Sequence, residues 1–92
     1  MIKSFKNKAT TLLFDGKCPS RFKGFQAVAE RKLQQLDSAE TLAFLRSPPG
    51  NRLEALQHSR KGQHSIRVND QYRVCFVWKD EHAHNVEIVD YH

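Results

Sequence analysis

Long apolar runs are missing from this chain. No stretch approaches the roughly 20 apolar residues that a membrane-spanning helix needs. The opening MIKSFKNKATTLLF mixes charge with apolar residues and has no continuous apolar segment, so no secretory leader is expected and the reading is a cytoplasmic protein. Cysteine is scarce: only Cys18 and Cys75 occur, which argues against a disulfide framework and fits a reducing compartment. Cys18 precedes a proline in a loop-like stretch, whereas Cys75 sits in an apolar run and reads as a small buried side chain. His82 and His84, taken with His58, His64 and the two cysteines, lack the paired spacing of a structural zinc site, so neither metal nor cofactor is expected. A glycine-rich phosphate loop and a nucleophile elbow are both missing. So are internal repeats, low-complexity tracts and linkers.

What remains is a balanced, basic, one-domain chain. Its 92 residues (1–92, a single domain) are 39% hydrophobic and 27% charged, enough to bury one modest core. Fifteen Lys and Arg against ten Asp and Glu give a net charge of +5. That sign favours a polyanionic partner: nucleic acid, an anionic membrane or an acidic protein.

The pattern changes period near the middle. Residues 2–5 fit a short strand. Asn7 then offers an N-cap, Ala9, Leu12 and Leu13 share a helical face, and Gly16 supplies the stop. Phe25, Val28, Ala29, Leu33 and Leu36 predict a helix over about 24–36 with a polar outer face. A second short helix fits 39–45, capped by Ser38 and ended by Ser47-Pro48-Pro49-Gly50. Beyond the prolines the spacing alternates. Leu53 and Ala55 suggest a short strand before the polar loop 57–63. Ile66 and Val68 alternate with Ser65 and Arg67, and Asn69-Asp70 suits a tight turn. Tyr72, Val74, Phe76 and Trp78 alternate with Arg73, Cys75 and Val77. Both faces of that run are largely apolar, which predicts a central strand. After a turn at 79–82, Val86, Ile88, Asp90 and His92 share one parity, and Glu87, Val89 and Tyr91 the other. Helices followed by an antiparallel meander predict an α+β domain, with two or three N-terminal helices packed on a small, mainly antiparallel sheet.

Folding the last runs as successive hairpins brings Arg73 opposite residues 88–90 on one side and 66–68 on the other. Arg73 is thereby expected between Arg67 and the Asp90 end of the last strand. Glu54 and the basic loop His58-Ser59-Arg60-Lys61 can approach the same rim. A one-residue slip in register would reverse these faces.

The ordered set MIKSF, ERKLQQLD, SPPGNRLEAL, HSIRVNDQYRVCFVW and VEIVDYH resembles the RelE superfamily of bacterial toxins, in its HigB-like ("plasmid maintenance killer") branch, over nearly the whole chain. The resemblance implies a RelE-like α+β fold similar to small microbial ribonucleases. It also implies an endoribonuclease that enters the ribosomal A site and cuts translated mRNA without a metal. The implied partners are mRNA, the ribosome and a cognate helix-turn-helix (HigA-like) antitoxin, with operator DNA reached only through the antitoxin and no membrane. Arg73, Asp90, Tyr91 and His92 stand where these toxins have functional residues. Relatives often also carry a His and a Lys around the end of the second strand, where this chain has Glu54 and Gln57. That departure leaves open a second reading, a catalytically weak toxin-fold module that acts mainly with its antitoxin in operon repression.

Metal-free RNA cleavage needs a base for the 2′-OH, an acid for the departing 5′-oxygen and a cation for the crowded phosphate. Arg73 suits the cation, because a guanidinium is always charged and meets phosphate oxygens bidentately. His92 suits the acid, since imidazole titrates near working pH. Glu54 is the candidate base and Asp90 its competitor, while Tyr91 can bond a phosphate or stack on a base. Arg52, Arg60, Lys61 and Arg67 are expected to contact phosphates without reading sequence. Each of these residues also has a plain structural reading: a solvated basic loop, an Arg73–Asp90 ion pair, a core Tyr91, a frayed His92.

Overall fold

Helices come first and strands second, and they form the two layers of an α+β domain. The computed structural model describes residues 1–90, so the candidate residues Tyr91 and His92 lie outside the described residues. Helix α1 spans Lys8–Phe14 and α2 spans Gln26–Ser38. Strands β1 (Glu54–Ala55), β2 (His64–Arg67), β3 (Tyr72–Lys79) and β4 (His82–Asp90) follow. Among the described residues they pair antiparallel in the order β1-β2-β3-β4.

The start of the chain joins this sheet from the far edge. Residues 2 and 5 make isolated parallel bridges to Ala83 and Val86 of β4, and the amide of Lys3 donates to the Ala83 carbonyl at 2.8 Å. The strand expected at 2–5 is therefore a pair of bridges along β4. Asn7 caps α1 as expected, its side chain accepting from the Thr10 amide at 2.9 Å. Gly16 ends that segment at φ 91, a conformation that suits glycine. Thr10 is fully buried, and its hydroxyl accepts the Ile88 amide of β4 at 3.1 Å, which ties the helix layer to the sheet.

Two helix boundaries differ from the pattern. Residues Ser20–Phe25 wind as a 3-10 segment, and α2 starts only at Gln26. Helix α2 then runs through Ser38, so Ser38 closes a helix instead of opening one. The following segment, Leu42–Arg46, is 3-10, with Thr41 accepting the Phe44 amide. The segment is bounded by the extended Ala39 on one side and by the extended Ser47, which precedes a proline, on the other.

The sheet follows the alternation closely. Asn69 fixes the β2–β3 loop by accepting the amides of Gln71 and Tyr72, both at 2.8 Å. Asp80 and Glu81 link β3 to β4 with φ of 52 and 65, the two left-handed residues of a type I′ hairpin turn. Asn85 at φ 53 is the extra residue between the pairs Val77↔His84 and Cys75↔Glu87. That bulge lets Ala83, Val86 and Ile88 all point into one core with Leu13, Phe22, Leu33, Leu36, Leu45, Ile66, Val74 and Phe76.

One charge is buried beneath this layer. Lys32 of α2 is 8% exposed, and its ammonium donates to the side-chain oxygen of the fully buried Asn51. Burial first, then Arg31 and Arg67, lower the Lys32 pKa from the ordinary 10.5. The folded chain therefore binds this proton less well than the unfolded chain does. The charged form costs stability at every pH below the folded value, and the cost fades as pH rises through that value toward 10.5. Comparing urea unfolding of the parent and Lys32→Met across that range, the stability difference is expected to move in favour of the parent as pH rises. A difference that stays flat contradicts the burial account.

Candidate active site

Strand alternation puts a polar pattern on the sheet face away from the helices. Register lines up Glu54, Ser65, Cys75 and Glu87 as one row across β1 to β4. The next row is Arg67, Arg73 and Val89. Residues directly paired in an antiparallel sheet leave it on the same side, so both rows share a face. The expected neighbours of Arg73 are in place: it pairs with Arg67 and with Val89.

Arg73 is held from several directions. Its Nε donates to Ser65 Oγ at 2.7 Å, and its Nη2 donates to the Arg52 carbonyl at 2.7 Å. Glu54 Oε1 lies 3.7 Å from the same Nη2. The Arg73 side chain is 12% exposed, whereas that of Glu54 is 50% exposed. A cation that cannot shed its charge is thus mostly withdrawn from solvent, and its anionic neighbour stays accessible.

The other end of the row is closed by a second ion pair. Arg60, in the 3-10 turn His58–Arg60, donates to Glu87 at 2.8 Å, with Lys6 at 3.7 Å from the same carboxylate. Cys75 and Ser65 are fully buried between the two pairs. Burial, the main cause, pushes the Cys75 thiol above its ordinary range.

Asp90 departs from the expected arrangement. Register pairs it with Tyr72, one residue off from Arg73, so it leaves the sheet on the opposite face. It is exposed and accepts from Gln71 Nε2 at 2.9 Å. The ion pair read as Arg73–Asp90 is made instead with Glu54. Of the expected RNA contacts, Arg52 and Lys61 are exposed, Arg60 is engaged with Glu87, and Arg67 pairs with Asp70. Sequence reasoning did not single out Ser65 and Glu87. Their signal was present as polar residues on the arginine parity of otherwise apolar strands.

Glu54 also faces a second space. A cleft of about 500 Å³ is bordered by Leu42, Ala43, Arg46, Leu53, Glu54, Ala55 and His64. Glu54 and Ala55 of β1 form part of its border. Among the described residues, no three His, Cys, Asp or Glu side chains gather to hold a metal ion, and no helix is long and apolar enough to cross a membrane.

Residues 3–92 match the family model of the HigB-like toxin, described as RelE-like toxin of type II toxin-antitoxin system HigB. Toxin HigB-1 of Vibrio cholerae serotype O1 is 54% identical over 55 residues, covering 60% of this chain and 58% of that protein. An uncharacterized protein of Haemophilus influenzae is 39% identical over 59 residues, covering 64% of this chain and 58% of that protein. The chain thus spans less than two thirds of the length of these curated relatives. A chain of the YoeB-YefM complex from Staphylococcus aureus superposes with a TM-score of 0.61 at 17% identity, covering 100% of this chain and 98% of that one. At that identity the likeness shows the fold alone, and it is the α+β fold described above.

The two thiols are expected to differ sharply in reactivity. Cys18 is half-exposed and Cys75 fully buried. Titrating the native chain with an aromatic disulfide reagent should label one thiol rapidly. Cys18→Ser should abolish that fast phase, leaving Cys75 reactive only on unfolding. Fast labelling of native Cys18→Ser would show the row to be open to solvent.

Proposed function

Because this chain belongs to the HigB-like family of RelE-like toxins of type II toxin–antitoxin systems, we propose that it is a ribosome-dependent, metal-independent endoribonuclease that cuts translated mRNA in the A site. The observation that carries this reading is the Arg73 guanidinium, held by Ser65 and the Arg52 carbonyl with an accessible carboxylate 3.7 Å away. In the proposed reaction the 2′-oxygen attacks the adjacent phosphorus and the bond to the 5′-oxygen breaks. Glu54 takes the 2′-OH proton, and His92 gives a proton to the departing oxygen. Arg73 meets the charge that builds on the equatorial oxygens. The products are a 2′,3′-cyclic phosphate and a 5′-OH. Asp90 remains the competing base, and Tyr91 is assigned to a phosphate or base contact.

Arg52 and Lys61 are exposed and suit phosphate contacts directly. Arg60 and Arg67 would exchange a carboxylate for a phosphate on binding. The cognate partner in this reading is a helix-turn-helix antitoxin, through which operator DNA is reached, and the site of action is the cytoplasm. A module that acts mainly through its antitoxin is favoured by one observation: Glu54 and Gln57 stand in place of the His and Lys that relatives often carry.

Inducing the chain without its antitoxin, and mapping cut sites on a translated message by primer extension, tests the reading. Growth arrest and cleavage are expected, and both should vanish in Arg73→Ala. Glu54→Gln should slow cleavage by about 10²–10⁴. Unchanged cleavage in Glu54→Gln would pass the base role to Asp90. Absence of arrest together with tight antitoxin binding would replace the enzyme with the binding module.

A further inference from the structure

Asn51 takes no part in the chemistry above, yet the chain buries it completely at the end of a loop. Loops ordinarily run over the surface, because a buried amide must find partners for every polar group. Asn51 has them. Its two side-chain N–H groups are shared among three acceptors, the Leu45 carbonyl at 3.1 Å, the Ser47 carbonyl at 3.3 Å and Gln35 Oε1 at 3.2 Å. Its side-chain oxygen accepts from the Lys32 ammonium. An ammonium can only donate, so Lys32 fixes which end of the carboxamide faces the loop carbonyls. Helix α2 therefore clamps the turn that follows Pro48 and Pro49 through a single side chain.

The next residue turns that clamp toward the site. Arg52 is left-handed, with φ 46 and ψ 53, a conformation uncommon for any residue but glycine. Its carbonyl thereby reaches Arg73 Nη2 at 2.7 Å. Ser65, the other hydrogen-bond partner described above, belongs to β2, and the sheet itself fixes it. The Arg52 carbonyl adds a second fixed acceptor to the one that Ser65 offers Nε, and together they constrain the plane of the guanidinium.

We propose that Asn51 is a positioning residue: the buried Lys32–Asn51 clamp holds the left-handed turn at Arg52, whose carbonyl orients the Arg73 guanidinium toward the phosphate. The functional half of this inference rests on the ribonuclease reading, whereas the geometric half stands without it. Lys32 has a lowered pKa, as expected for an ammonium that exchanges water for the Asn51 oxygen.

Two readouts on the full chain test it. The first is the rotation rate of the Arg73 guanidinium about Nε–Cζ, measured by nitrogen-15 NMR. In Asn51→Ala it should rise about tenfold, the scale of one lost hydrogen bond. Leu13→Ala, a core change under α1, serves as a control for general destabilisation and should leave the rate alone. Gln35→Met removes one bond to Asn51 without opening the loop, and it should raise the rate by a smaller factor. It decides the matter if Asn51→Ala does not fold. The second readout is ribosome-dependent cleavage, where kcat should fall by about ten- to a hundredfold with KM unchanged. Unchanged rotation in Asn51→Ala and Gln35→Met, or an equal rise in Leu13→Ala, overturns the proposal. Faster rotation in the variants of a chain whose parent cuts no RNA supports the clamp and removes the ribonuclease reading instead.

Discussion

A guanidinium drawn out of water is the constraint around which the far face of this sheet is arranged. Arg73 cannot neutralise itself by releasing a proton, so its burial demands acceptors at fixed places. Among the described residues, acceptors come from separate parts of the chain: a serine in β2, a backbone carbonyl at a left-handed turn, and a carboxylate in the two-residue β1. Each is short-range in space and distant in sequence. The brevity of β1 and the odd backbone at Arg52 make sense together, because the chain must turn a carbonyl inward and then run alongside β2 at once.

The helix layer serves the same end from the other side. Helix α2 contributes Ala29, Leu33 and Leu36 to the core, and between them it places Lys32 under the proline-bracketed turn. Thr10 of α1 meets β4 through the Ile88 amide and α2 meets the turn before β1 through Asn51, so both helices make polar bonds as well as apolar contacts. Polar bonds across a packed interface stabilise little on balance but fix one arrangement over its near alternatives, since an unmade one is costly. Such an interface suits a site whose parts come from both layers.

Much of this was legible in the alternation of residues 64–90, because period two with apolar residues on both faces marks a central strand. Asn7, Gly16 and Asn69 were legible for the same kind of reason, each having a local backbone task that few residues perform. What the alternation could not supply was parity across a turn. The register opposes Arg73 to Val89, inside the expected span 88–90, but Asp90 pairs with Tyr72 and its carboxylate leaves on the other face. The bulge at Asn85 was invisible because it depends on how two strands bend together. The clamp at Asn51 was hidden for another reason. A lone asparagine after Pro-Gly reads as surface turn chemistry, and only the arrival of Lys32 from a helix 19 residues earlier reveals it as interior.

Strands β1 and β4 carry the carboxylates Glu54, Glu87 and Asp90, and their surroundings separate them. Glu87 is 10% exposed in its side chain, bonded by Arg60 at 2.8 Å and approached by Lys6. A carboxylate so enclosed is committed to holding the loop 58–60 against the sheet, and moving a proton there would break the contact that closes the row. Asp90 is exposed, but it leaves the sheet on the face opposite Arg73. Glu54 alone of the three combines an accessible side chain with a position beside the guanidinium, at a distance longer than a tight ion pair. Proton transfer and phosphate neutralisation have to occur within a few ångströms of each other. On that criterion Glu54 is the base to pair with Arg73 in the proposed reaction, and the same geometry leaves Glu87 as the structural counterpart at the other end of the row.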